Sequence, residues 1–249
     1  MEDKVAIVTG GTMGIGRAIT LRLADTGANV VVVGRDIIRA NRLIDELSAS
    51  KHKAISVKAD VTKSEDVTHM AEVALDAFGK IDILVNNAGG SPHNTRSMFH
   101  ESQEEVWDIV LGVNLKGVLN CTRAVINHMM QRKSGKIINI ASIAGLSGTP
   151  GLADYSAAKG GVIAFTKALA KEVAQYGINV NCVCPGPIGT EYFLTLSEEA
   201  KQKYLQSIPL GRFGRPEEVA GLVRYLASYE ADYITGQTFV IDGGRSLGS

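Results

Sequence analysis

Mostly apolar, β-branched runs recur along the chain at 4–9, 29–34, 54–59, 81–85, 136–140, 178–183 and 238–241. Each is short and lacks a polar face, the pattern of a strand buried on both sides. Between them lie segments of helical period at 16–25, 38–48, 64–78, 104–132, 155–175 and 216–228. Two carry clear start signals. Ser64 and Glu65 open one, and Pro216 followed by Glu217 and Glu218 opens another, with proline first and acids in the first turn. Strict alternation of strand and helix predicts parallel strands joined by right-handed crossovers. The expected fold class is therefore α/β, a doubly wound, parallel, seven-stranded sheet with helices on both faces, formed as a single domain over 1–249. Segment 190–209 breaks the alternation. There Tyr192, Phe193, Leu194 and Leu196 precede a charged, helix-like run at 197–204, which reads either as a lid over a ligand crevice or as a packed helical insertion.

Composition narrows the partners. The 26 basic and 26 acidic residues cancel, so no net field draws the chain to nucleic acid or an anionic membrane, and neither is expected as a partner. The N-terminal segment lacks the basic and apolar regions of a secretory signal, and no uninterrupted apolar run approaches the ~20 residues of a membrane span. Cys121, Cys182 and Cys184 are odd in number, and no further Cys or His cluster completes a zinc site around them. Buried strand cysteines in a reduced, cytoplasmic protein, with no metal, are the expectation.

Two stretches carry candidate chemistry. After the first strand comes Thr9-Gly10-Gly11-Thr12-Met13-Gly14-Ile15-Gly16. Its glycines do not keep the G-x-G-x-x-G spacing but occupy the same strand–turn–helix position. There a tight turn, a close backbone and a helix N-terminus suit a pyrophosphate. The second stretch is Tyr155-Ser156-Ala157-Ala158-Lys159, in the first turns of a helix. Four residues apart, phenol and ammonium point the same way, and a fixed cation favours the anionic form of a phenol whose reference pKa is ~10. Each stretch alone is ordinary, a turn or a surface pair.

The glycine-rich stretch is followed, in order, by Asp60-Val61, Asn86-Asn87-Ala88-Gly89, Asn114, Ser142, Tyr155-x-x-x-Lys159 and Pro185-Gly186. This series resembles the short-chain dehydrogenase/reductase family over essentially the whole chain. At 181–186 and 208–212 the sequence is also similar to 3-oxoacyl-[acyl-carrier-protein] reductases. The resemblance implies a Rossmann-type fold, oxidoreductase activity on CH–OH groups, and a catalytic set of Asn114, Ser142, Tyr155 and Lys159. By that resemblance Tyr155 is the proton donor in carbonyl reduction and the base in alcohol oxidation, and Ser142 hydrogen-bonds the substrate oxygen. Lys159 binds the nicotinamide ribose and lowers the tyrosine pKa, while Asn114 holds a water of a proton relay. The same resemblance assigns the cofactor to Gly10, Met13, Gly14, Ile15 and Gly16 at the pyrophosphate, and to Asp60 and Val61 at the adenine. It assigns Asn87, Ala88 and Gly89 to the ribose, Pro185, Gly186, Ile188 and Thr190 to the nicotinamide, and Asn86 to stitching neighbouring strands. It implies a homotetramer paired through 104–132, 155–175 and the last strand, in which Gly160-Gly161 would suit close helix approach.

The end of the second strand bears on cofactor choice. NAD-preferring relatives place a carboxylate where Gly34 stands, and Arg35 follows it. A missing carboxylate removes repulsion from a 2′-phosphate, and a guanidinium supplies a bidentate partner. NADP(H) is favoured. NAD(H) is the alternative, because Met13 stands where many NADP-dependent relatives carry a second basic residue and Asp36 turns inward after a small register shift. The substrate-side positions 91–94, 143–146, 150–152, 187–188 and the insertion from Thr190 are mostly apolar or uncharged, suiting a neutral small-molecule carbonyl or secondary alcohol with an apolar or thioester-linked tail. Arg132, Lys133 and Lys171 read as solvated helix faces ahead of a contact with an acidic carrier. A dinucleotide-binding sensor without turnover is the function of a different class that the same fold allows.

Overall fold

The computed structural model describes residues 1–50, 52–90 and 96–247. Its strands are β1 (Val5–Thr9), β2 (Asn29–Gly34), β3 (Ala54–Lys58), β4 (Ile83–Asn86), β5 (Gly135–Ile140), β6 (Ile178–Pro185) and β7 (Thr238–Ile241). They form one parallel sheet in the order β3-β2-β1-β4-β5-β6-β7, the expected doubly wound architecture. The winding reverses between β1 and β4, so the loops leaving these two strands part and open a crevice at their carboxyl ends.

The helices are α1 (Gly14–Ala24), α2 (Ile37–Ala49), α3 (Ser64–Phe78), α4 (Glu104–Leu111), α5 (Gly117–Arg132), α6 (Ala144–Ser147), α7 (Ala153–Val173), α8 (Glu191–Leu194), α9 (Glu198–Gln206) and α10 (Pro216–Ala227). Alternate strand residues feed two cores. Ala6, Val8, Val30 and Val32 pack with Ile19, Leu23, Leu43, Val219 and Val223 of α1, α2 and α10. Ile7, Val31 and Val33 pack with Met70, Val125, Met129 and Leu169 of α3, α5 and α7. Burial on both faces is why these strands read as unbroken apolar runs rather than alternations.

The segment expected as one helix over 104–132 is two. Between α4 and α5 lies a π-helical turn, Gly112–Lys116, with Asn114 at its centre. By length and hydropathy the whole segment is apolar enough to cross a membrane. Its residues Val118, Cys121, Val125 and Met129 are buried, as in a helix laid on a sheet.

The segment expected as a strand over 81–85 begins only at Ile83. Asp82 is 3% exposed and accepts hydrogen bonds from the Val5 amide at 2.9 Å and the Arg132 guanidinium at 3.1 Å. Arg132 also donates to the Ile81 carbonyl. Its charge therefore braces the amino ends of β1 and β4. Lys171 stands twelve residues beyond Lys159 on α7, ~18 Å along the axis at 1.5 Å per residue. On the carboxyl side, Asn86 donates to Thr122 and Asn139, and Asn139 donates to Thr166, which is the strand stitching expected of Asn86.

Candidate active site

The turn after β1 brings the backbone to the crevice because its glycines leave no alternative. Gly10 and Gly14 have φ of +61° and +50°, conformations L side chains rarely adopt. A Cβ on Gly16 would collide with the Gly10 carbonyl oxygen, and one on Gly10 would stand 2.9 Å from the Ala88 Cα. Thr9 and Asn87 lock the turn to the end of β4. The Thr9 hydroxyl accepts from the amides of Asn87 and Ala88, and the Asn87 amide group donates to the carbonyls of Thr9 and Gly10. Met13 stands at the cap of α1 without a side-chain bond to the helix amides, and the first turn of α1 holds no acid. Its amides are thus available to an anion.

The other expected residues arrive at the same edge. Asp60 follows β3 and accepts from the amide and hydroxyl of Thr62, which holds its carboxyl below the usual range, with Arg35 adding to the effect. Val61 packs against Gly117, where a Cβ would come within 2.6 Å of its side chain. Pro185 ends β6, Gly186 bonds to Ile241, Ile188 is 3% exposed, and the Thr190 methyl lies 3.1 Å from the position of a Cβ on Gly14. Ile15 packs on the α1 side of the sheet. Positions 91–94 lie outside the described residues.

Ser142, Tyr155 and Lys159 meet where β5 and β6 end. The Ser142 hydroxyl lies near enough to the Tyr155 phenol to favour its ionised form, and the Lys159 Nζ lies 5.7 Å from the phenol ring centroid. Lys159 is 3% exposed and donates to the Ile140 carbonyl at 2.9 Å. The π-turn explains Asn114. Its carboxamide accepts from the Gly90 amide and donates to the carbonyls of Gly90 and Val110, the last an acceptor one turn earlier on its own helix. Gly89 sits between this carboxamide and Lys159: an added Cβ would be 2.6 Å from the Asn114 Oδ1 and 3.3 Å from the Lys159 Nζ. Gly160 and Gly161 serve contacts within the chain. A Cβ on Gly161 would press on Leu115 at 3.1 Å, and one on Gly145 of α6 would meet the Gly160 amide at 2.7 Å, so the Ser142 turn rests directly on the helix that carries Tyr155.

A family model described as enoyl-(acyl carrier protein) reductase matches residues 10–246. The chain is 47% identical to a 3-oxoacyl-[acyl-carrier-protein] reductase of Synechocystis sp., over 99% of this chain and 98% of the relative. The chain belongs to the short-chain dehydrogenase/reductase family. A second relative of the same reductase type, from Thermotoga maritima, is 42% identical over 98% of each chain. The (2S)-[(R)-hydroxy(phenyl)methyl]succinyl-CoA dehydrogenase subunit BbsD of Thauera aromatica is 41% identical over 99% of this chain and 98% of its own.

In this dehydrogenase/reductase, burial sets the charge states of the site. It lowers the Lys159 ammonium from 10.5 to about 8. It also raises the Tyr155 phenol, against the opposing effect of the nearby Ser142 hydroxyl, so the net direction is opposite to the expected lowering by lysine. Cys182 and Cys184 are free and fully buried on β6, as expected. Neither position is expected at the site, yet both thiols lie close enough to Lys159 to act on its charge. Their i, i+2 spacing, which puts both on one strand face, is the signal for it. The 190–209 segment also shows partners the sequence did not reveal. Phe193 stands 5.2 Å from Tyr204 and from Phe213, and the Arg245 guanidinium lies 5.1 Å over the Tyr204 ring.

Proposed function

We propose that this oxidoreductase of CH–OH groups transfers a hydride between NADP(H) and the carbonyl/alcohol pair of a 3-oxoacyl thioester. The observation that carries the reading is the buried Lys159 ammonium 5.7 Å from the Tyr155 ring, with the Ser142 hydroxyl near the same phenol. Tyr155, kept protonated by burial, gives its proton to the carbonyl oxygen in reduction and takes it back in oxidation. Ser142 donates to the same oxygen as charge grows on it. Lys159 supplies positive charge within the pocket, and Asn114, tied to Gly90, fixes the backbone between itself and the lysine. NADP(H), when bound, supplies or accepts the hydride. The glycine turn with the open first turn of α1 fits its pyrophosphate, Asp60 and Val61 its adenine, Asn87 to Gly89 its ribose, and Pro185 to Thr190 its nicotinamide.

Preference for the 2′-phosphate is supported at the end of β2. A Cβ on Gly34 would stand 3.2 Å from the Thr12 Cγ2, so the strand end has little room for an acid. Asp36 is spent as the cap of α2, accepting from the Arg39 amide. The thioester is supported by the relatives, whose names place their acyl groups on acyl carrier protein or CoA. Residues 190–209 act in this reading as the lid, and the chain works as a homotetramer in the cytoplasm. The test pairs wild type with Tyr155→Phe, following NADPH fluorescence for binding and 340 nm absorbance for turnover of acetoacetyl thioesters. Both should bind, and the variant should lose about 10²–10⁴ in turnover. Tight binding by wild type with no turnover on thioesters, ketones or alcohols would instead favour a sensor.

A further inference from the structure

A second guanidinium stands at the end of β2. Arg39 lies in the first turn of α2, and its Nη1 rests 3.4 Å from the Met13 sulphur in the glycine turn. A thioether is a weak acceptor, so this contact places the guanidinium beside the glycine turn and leaves its donors open to a stronger partner. The acid beside it is Asp36, whose Oδ2 is 3.8 Å from the Arg39 Nε while its Oδ1 caps the helix. Arg35 leaves the strand on the other side, where its charge is felt by Asp60 after β3. Since β2 lies between β3 and β1, Arg35 reaches to the β3 side of Gly34 and Arg39 to the β1 side. Both side chains are exposed, and the position between them carries only a hydrogen.

We propose that Arg39 is a specificity-determining residue for the 2′-phosphate of NADP(H), meeting it from the side opposite Arg35. The inference rests on the NADP(H) reading above. A phosphate dianion accepts from two forked guanidinium groups at once, and Arg39 reaches the site from α2, where it replaces the charge that Met13 does not supply.

The experiment measures dissociation constants of the full chain for NADPH, NADH, adenosine 2′,5′-bisphosphate and 5′-AMP at fixed salt, in wild type, Arg39→Gln and Arg39→Lys. Arg39→Gln should weaken NADPH and the bisphosphate about tenfold while leaving NADH and 5′-AMP within about twofold, and Arg39→Lys should recover part of the loss. Unchanged NADH binding also reports that the variant is folded. Wild type preferring NADPH, with Arg39→Gln losing nothing or losing equally for NADPH and NADH, overturns the role of Arg39 and leaves the cofactor reading standing. Wild type that does not prefer NADPH to NADH overturns the cofactor reading itself.

Discussion

Burying Lys159 has a cost that pH reveals. The ammonium is 3% exposed, and burial lowers its pKa from 10.5 to about 8. At about 1.4 kcal/mol for each step of one in pKa, keeping the charge buried below pH 8 costs the native state about 3 kcal/mol. The folded pKa lies below the unfolded one, so between pH 8 and 10.5 the unfolded chain holds more protons and stability rises with pH. Lys159→Met removes this dependence. It also removes the hydrogen bond to the Ile140 carbonyl, a loss of about 1 kcal/mol that does not change with pH. The variant should therefore be about 2 kcal/mol more stable than wild type at pH 7, less stable by about 1 above pH 10.5, and unable to turn over substrate. Urea midpoints at matched protein concentration, taken from pH 7 to 10.5, measure the difference. A gap that stays flat across that range would refute the argument, because the cost would then not come from a buried charge.

Two further substitutions test the frame and the nucleotide turn. Asp82→Asn should destabilise by about 2–4 kcal/mol, since the charge that accepts from Val5 and Arg132 is lost. Burial opposes ionisation of Asp82 but these donors prevail and lower its pKa from 3.8, so the gap should close as pH falls below that value in acid denaturation curves. Gly16→Ala should fold and lose about tenfold or more in nucleotide affinity by fluorescence titration, because the new methyl meets the Gly10 carbonyl.

The sheet was legible because its strands are buried on both faces and therefore written as apolar runs. The Tyr155–Lys159 pair was legible because one helical turn is a local fact. What stayed hidden depends on contacts made across the chain. Asp82 reads as part of a strand until the Val5 amide claims its carboxylate, and Arg132 reads as solvated until Asp82 is found beneath it. Asp36 could be weighed against the ribose only until its role as the cap of α2 was seen. The four residues of α6 are too few to show a period. The upward direction of the Tyr155 pKa comes from enclosure, which no spacing records.

The break between α4 and α5 makes segment length a matter of phase. A π-turn holds one residue more than the α-helical turn it replaces, and each residue of an α-helix advances the chain by about 100°. Deleting any one position within Gly112–Lys116 would let the segment close into a continuous α-helix. The π-turn spends that residue with little extra rotation, so Val118, Cys121, Val125 and Met129 would still face the core they fill, while the wide turn that frames Asn114 would be lost. The extra residue therefore works as a clutch. It lets one long segment keep its core-facing stripe and still turn Asn114 to the backbone of Gly90, so natural variants should keep Asn114 and the length of this turn together.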